Sequence, residues 1–390
     1  MRLVRALLCA LIPLCAQAQT APVVVGAVLP QTGDLADLAS GYRNGLLLWQ
    51  QEVNASGGLL GRRVELRLLD DRSEANRDGS LYARLVTEDK ADVLFGPFGS
   101  AATVAASAVA ERNRRVLLDA TGATQSVLGA GPRYVFHVAA PYAAYGEALL
   151  GLLRASGYAK LYVLARDDPA SREMAQRFIA RAPRYGLAAG PATMYPGAVP
   201  DFTPQLTAAR ASGAEALIAF GGEGDAAEMV KTMWRMKYAP KLFFARGATD
   251  ARFVRDVGQD AEYTLSVSAY QPDFATEGNA LFVKAYAERW TAPPDLAAAQ
   301  AYAAGQVLEQ AVRRAGSLEQ DKLAAALAAL DGDTVLGHYR IDPSTREQLG
   351  ATPAVVQILR GRPQVVWPRE RATAHWQLPY PRWDERKPIE

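Results

Sequence analysis

Apolar positions along the chain fall into short, nearly continuous runs separated by longer stretches with helical spacing. The first run, VVVGAVLP (Val23 to Pro30), is the kind of strand found where a parallel sheet is covered on both faces. Tyr42, Leu46, Trp49 and Val53 then recur at intervals of three or four, predicting a helix from about Gly41 to Asn54 that ends at Gly57-Gly58. RVELRLLDD (Arg63 to Asp71) reads as a strand, followed by a helix from about Glu74 to Glu88. The strand ADVLFGP, a helix over Ser100 to Arg112 and the strand RVLLDA (Arg115 to Ala120) complete a first block.

The alternation resumes with the strand KLYVLAR (Lys160 to Arg166) and a helix from about Ala170 to Tyr185. EALIAFGG (Glu215 to Gly222) precedes a helix carrying Met229, Met233 and Met236, and KLFFAR and YTLSVSAY close the block. The methionine stripe fits core packing better than a cofactor pocket. A third part is mostly helical, over Glu277 to Trp290, Asp295 to Arg314 and Glu319 to Leu330. The strand TVLGHYRID (Thr334 to Asp342) and a strand pair turning near Gly361 follow. The end, HWQLPYPRWDERKPIE, lacks periodicity and reads as a tail packed through Trp376 and Trp383, or partly disordered. Strand–helix alternation in two blocks predicts an α/β protein of two doubly wound lobes, which suits the chain length.

Composition changes this picture mainly at the start. Arg2 and Arg5 precede the apolar run ALLCALIPL, too short for an anchor, and Ala16-Gln17-Ala18 offers a small-x-small cleavage site. The expectation is a signal peptide over 1–18; a buried N-terminal helix is the alternative. A lipoprotein would need a small residue where Leu14 precedes Cys15. Cys9 and Cys15 leave with the leader, excluding disulfides and a cysteine nucleophile or metal ligand. Removing Arg2 and Arg5 from the 43 basic residues balances the 41 acidic ones, so nothing points to nucleic acid or anionic lipid. No later stretch is long and apolar enough for membrane insertion. His137, His338 and His375 lie far apart, which argues against histidine catalysis or a multi-histidine metal site.

Two turns carry the candidate chemistry. GPFGSAAT (Gly96 to Thr103) is neither the G-x-S-x-G of a nucleophile elbow nor a phosphate loop, which would need a lysine. It does place Ser100 at the N-cap of a helix, where free N–H groups and the positive helix end favour an anion. A plain cap serving only the helix is the alternative. DATGATQS (Asp119 to Ser126) repeats the design with Thr121, Gly122 and Thr124. Two such turns at the carboxyl ends of strands in one sheet would face one crevice.

Together with VGAVLPQTGDLADLASGYRNG, EVNASGGLLGRRVELRLLDDRSEANRD and VPDFTPQLTAARASGAEALIAFGG, these turns resemble the periplasmic substrate-binding proteins of ATP-driven (ABC) uptake transporters, in the branched-chain amino-acid-binding (Leu/Ile/Val) family. The resemblance spans nearly all of the chain after the leader. It implies a type I periplasmic binding fold, two lobes joined by a three-strand hinge, with crossings near Pro141, Tyr270 and Gly350. The lobes would comprise 19–140 plus 271–350, and 141–270 plus 351–390. Carried over by position, Ser100 matches the family's carboxylate-binding serine, and Gly122 and Thr124 match positions touching the ligand's carboxylate and amino groups. Leu38 falls near an aromatic wall position in the opening loop. In the second lobe Ser171 stands near a family tyrosine in the loop after KLYVLAR, and Glu223 replaces an aromatic. The acid that usually neutralises the ligand ammonium is missing, with Gly247 at its place and Arg246 beside it. Either Glu223 replaces that acid from another direction, or Arg246 pairs with a second acidic group on the ligand.

The resemblance implies an exported, periplasmic, monomeric binding protein that takes a small-molecule carboxylate by lobe closure and delivers it to a membrane ABC permease, without cofactor, metal or catalysis. A ligand sensor of the same fold, feeding a signalling receptor, is the second reading. An enzyme is the third; it would have to rely on carboxylates such as Asp119 and Glu223.

Overall fold

A computed structural model describes residues 21–122, 132–197, 199–249, 251–344 and 346–386, without the side chains of 100, 101, 142, 143, 223, 251 and 252. The expected leader and Thr124 therefore lie outside the described residues.

The first sheet holds β1 (Val23–Leu29), β2 (Val64–Asp70), β3 (Val93–Phe95), β4 (Leu117–Asp119) and β5 (Val135–His137), all parallel in the order β2-β1-β3-β4-β5. Helices α1 (Ala36–Ala55), α2 (Asp78–Thr87) and α3 (Ser100–Arg112) connect them. Burial on both faces explains the continuous apolar strands. Val23, Val25, Ala27 and Leu29 of β1 join one cluster with Tyr42 and Leu46 of α1, while Val28 points the other way, to Tyr82 and Leu85 of α2. α1 begins five residues before the predicted start. Its first turn is mostly exposed, with Leu35 and Leu38 in solvent, so no apolar stripe marks it.

After α4 (Tyr142–Ser156) the second sheet is built from β6 (Lys160–Arg166), α5 (Pro169–Arg181), β7 (Ala188–Ala189), β8 (Thr193–Tyr195), α6 (Thr203–Ala211), β9 (Ala216–Phe220), α7 (Glu223–Arg235), β10 (Leu242–Ala245), α8 (Ala251–Val257) and β11 (Leu265–Ser268). Met229 and Met233 are wholly buried in its core, as the packing reading expects. The chain then returns through α9 (Asn279–Trp290), α10 (Leu296–Ala315) and α11 (Gln320–Ala328), whose apolar faces share the first sheet's core cluster. The single strand expected over Thr334 to Asp342 is instead a hairpin of β12 (Asp331–Thr334) and β13 (Gly337–Arg340). Its turn residues, Val335 and Leu336, are buried apolar side chains and carry no turn signature in the sequence. β14 (Ala354–Leu359) adds antiparallel to β11 and β15 (Arg362–Trp367) antiparallel to β14, giving the order β15-β14-β11-β10-β9-β6-β7 with β8 also on β6.

The terminal segment packs on this second sheet through residue 386. Trp376 lies 5.8 Å from the Trp367 ring, and the Trp383 indole N–H donates to the Tyr238 carbonyl at 2.7 Å.

Candidate functional site

Because β3 and β4 are parallel neighbours, the turns leaving their carboxyl ends emerge side by side. Thr121 joins those turns. Its hydroxyl donates to the Pro97 carbonyl (2.7 Å) and accepts the Gly99 N–H (2.9 Å). Gly99 holds φ 95 and ψ 152, backbone that a side chain would strain, and it is the N-cap of α3. This corrects the capping role expected of Ser100. Serine would be strained in that conformation, so the cap sits one residue upstream and Ser100 becomes the first residue of the helix. Its N–H still belongs to the first turn, whose donors have no carbonyl partner within the helix.

Gly122 is buried, and its N–H donates at 2.9 Å to Asp119 Oδ1, which also accepts the Thr121 N–H at 3.1 Å. A Cβ on Gly122 would stand 2.4 Å from Asp119 Oδ2 and 2.5 Å from Thr103 Oγ1, so only glycine lets this turn close. Its donor thus faces inward, to Asp119, where the resemblance implies a ligand contact. Asp119 itself is 0% exposed, with Oδ2 3.0 Å from Nδ1 of the equally secluded His137. Tyr42 packs against the same turn, edge-on to the half-buried Phe98 at 6.4 Å. Burial first, and then the Asp119 charge, push the Tyr42 phenol far above its ordinary range, so it stays neutral. Leu38 is 43% exposed and lies in α1, not in the opening loop.

The carboxyl edge of the second sheet carries a denser charge network. Arg166, the last residue of β6, donates through Nε to Asp168 Oδ2 at 2.7 Å and reaches Asp225 Oδ2 at 3.5 Å. Asp225 Oδ2 also accepts the Gly222 N–H (2.7 Å) and the Tyr195 hydroxyl (3.1 Å). Ser171 lies within α5, not in the preceding loop. It is fully buried, and both its N–H and its hydroxyl donate to Asp168, at 2.9 and 2.8 Å. Burial works to raise the Asp168 carboxyl, but the Ser171 donors and the Arg166 guanidinium outweigh it and hold it below the usual carboxylate range. Arg246 follows β10 and donates through Nη1 to the Gly221 carbonyl at 3.0 Å. Gly247 has φ +91, so the acid missing from this place would also have to hold a left-handed backbone. Glu223 is the first residue of α7, where an acid suits the helix dipole; Asp225 supplies the side chain that accepts from the cap.

Ser100, Gly122 and Thr121 are thus gathered on the first edge, and Ser171, Glu223 and Arg246 on the second. Each edge offers hydrogen-bonding and charged groups at strand-to-helix turns, suited to holding a small polar molecule. No cluster of three or more metal-ligating side chains occurs among the described residues. Phe98, Arg166, Asp168, Tyr195 and Asp225 were not singled out from the sequence, and His137 was weighed only as one of three histidines far apart in the chain. A usable signal existed for two of them: Arg166 and His137 are charged or titratable residues ending the buried runs KLYVLA and VF.

Comparison with known proteins agrees with this architecture. A family model described as periplasmic binding protein matches residues 22–362. An amino acid binding protein of Pseudomonas aeruginosa is 26% identical over 332 residues, covering 83% of this chain and 86% of that protein. The leucine binding protein LivK of Thermotoga maritima superposes with a TM-score of 0.74 at 22% identity, covering 88% of this chain and 97% of that one. A solute binding protein of R. palustris in complex with benzoate gives a TM-score of 0.72 at 21% identity, covering 89% and 96%.

Proposed function

The chain belongs to the periplasmic binding protein family, and from that premise we propose that it captures a small carboxylate-bearing solute by closure of two lobes and delivers it to a membrane ABC permease. The lobes are 19–140 plus 271–350, built on the first sheet, and 141–270 plus 351–390, built on the second. The leader over 1–18 directs the protein to the periplasm. The observation that carries the reading is the pair of turns leaving β3 and β4, locked together by Thr121 at the head of α3. There the N-terminal N–H groups and Ser100 meet the ligand carboxylate. Gly122 lets the turn close, Leu38 lines the entrance, and Thr124, outside the described residues, is assigned to the ligand from the resemblance alone. The second edge covers the remainder of the ligand through Arg246, Arg166 and Glu223, with Ser171 holding Asp168 in place.

Solutes bound by similar proteins include amino acids and benzoate, by their descriptions. The charged second edge and the glycine at 247 favour a ligand whose far end is not a simple ammonium. A thermal-shift series with branched-chain amino acids, benzoates and dicarboxylates tests the reading. At least one carboxylate is expected to raise Tm in proportion to its affinity, while its amide or ester does not. No shift with any carboxylate overturns the assignment. Conversion of the best ligand at catalytic protein concentrations overturns the binding-only chemistry.

A further inference from the structure

We propose that His137 and Asp119 form a proton-accepting pair beneath the anion-binding turn, so that an anionic ligand is taken up together with a proton. The inference rests on the proposed carboxylate site. The parallel register of β4 and β5 sets Asp119 directly opposite His137, which puts both side chains on the same face of the sheet. They are 0% and 4% exposed, and Nδ1 stands 3.0 Å from Oδ2. The other ring nitrogen, Nε2, is buried without a hydrogen-bond partner among the described residues.

Asp119 is coupled to the site through its own hydrogen bonds. Oδ1 holds the N–H groups of Thr121 and Gly122, and Thr121 holds Gly99 at the head of α3. A ligand carboxylate at that helix end therefore adds a second negative charge to a region of low dielectric already holding one. Like charges in such a setting oppose each other strongly. A proton on His137 turns the pair into a neutral ion pair and removes the conflict, and imidazole is the side chain suited to gaining one near neutral pH.

Other groups face the pair. α1 contributes Tyr42, and α2 contributes Tyr82 and, through it, Asp78; burial keeps both phenols neutral. α3 contributes Thr103 beside Gly122 and, at its far end, Glu111, whose carboxylate accepts the Tyr134 N–H at 2.6 Å. Asp78, pushed up to about 7 by burial and then by Asp71, is the rival proton acceptor.

Isothermal titration of the mature protein at pH 7.5, in buffers of differing ionisation enthalpy, counts protons taken up on binding. The probes are benzoate and L-leucine; benzoate carries no group of its own that titrates there. The expected result is uptake of a fraction of a proton up to one. Affinity then strengthens as pH falls from 8 to 6, by at most tenfold per unit. His137→Gln, which keeps a neutral polar group beside Asp119, abolishes the uptake while preserving Tm, and Asp78→Asn leaves it intact. A purely structural His137 would leave the proton count unchanged in His137→Gln. Binding without uptake in the native protein overturns the inference but not the carboxylate site. Uptake that survives His137→Gln, or vanishes in Asp78→Asn, assigns the proton elsewhere and also overturns it. Failure of every carboxylate to bind removes the site and the inference together.

Discussion

Thr121 holds two turns with one hydroxyl, donating to Pro97 and accepting from Gly99. Thr121→Val keeps the shape and removes both bonds, each worth about 1 kcal/mol net. If the joined turns are the ligand's seat, affinity for the best carboxylate should fall about tenfold, since about 1.4 kcal/mol is one decade. Titration calorimetry reads this, and a variant that binds as tightly as the native protein would mean the turns serve only the fold. Asp78 supplies a second test at this scale. It is fully buried, and neither carboxylate oxygen has a hydrogen-bond partner among the described residues. Burial, then the charge of Asp71, pushes it up to about 7. The folded state thus holds this proton more tightly than the unfolded chain, whose carboxyl titrates near 3.9. The resulting stability is complete below pH ~4 and is lost as pH rises through 7, about 4 kcal/mol in all. Asp78→Asn should match the native protein in denaturant melts at pH 4 and exceed it by a few kcal/mol at pH 8. Equal curves at pH 8 would show that the carboxyl is already relieved. Residues of this kind were only partly legible in advance. Gly-Ser and Thr-Gly at strand ends announce a turn that can meet an anion, so Ser100, Gly122 and Thr121 stood out. The contacts of Asp168 with Ser171 and of Asp225 with Gly222 are helix caps three residues apart, local but not read as part of the site. Nothing local says that Tyr195 and Arg166 will reach Asp225, because those partners are 30 and 59 residues away and meet only after the sheet forms.

At the scale of elements, α1 and α10 meet across Gly305, where an added Cβ would lie 2.2–2.3 Å from the Trp49 ring. The ring cannot easily yield: Trp49 is buried, and its indole N–H is fixed at 2.7 Å on Glu309, one turn further along α10. Alanine is a better helix former than glycine by about 1 kcal/mol. Overpacking a filled core costs about 1–3 kcal/mol, and displacing the indole would loosen its hydrogen bond as well. Packing should win, so Gly305→Ala is expected to lower stability by about 1–2 kcal/mol. An unchanged or raised melting temperature would show that the two helices can part at little cost. Periodicity exposed most elements of this layer, since Tyr42, Leu46, Trp49 and Val53 all point inward as their spacing predicts. It failed where burial and polarity part company. The first turn of α1 is helical yet exposed, and the β12–β13 turn is apolar because Val335 and Leu336 enter the core.

At the scale of the whole molecule, alternation of strands and helices told of two sheets. It could not show how α9, α10 and α11 return to the first core, because that depends on contacts between distant segments, such as Trp49 with Glu309, 260 residues apart. The same non-local wiring makes lobe closure testable. A ligand held only at the head of α3 would stabilise the protein by mass action, about 2.7 kcal/mol at a hundredfold excess over Kd, without changing its shape. A ligand that also engages the second edge must draw the lobes together, because only the closed state offers both sets of contacts. Saturating ligand is therefore expected to raise Tm and, in solution X-ray scattering, to reduce the radius of gyration. Thr121→Val should weaken the affinity yet leave the saturated radius as in the native protein, since it removes first-edge bonds and leaves the second edge whole. Arg246→Ala, by contrast, should leave a saturated protein that closes incompletely. A radius unchanged by a ligand that raises Tm would confine binding to the first edge, and closure would then have no part in capture.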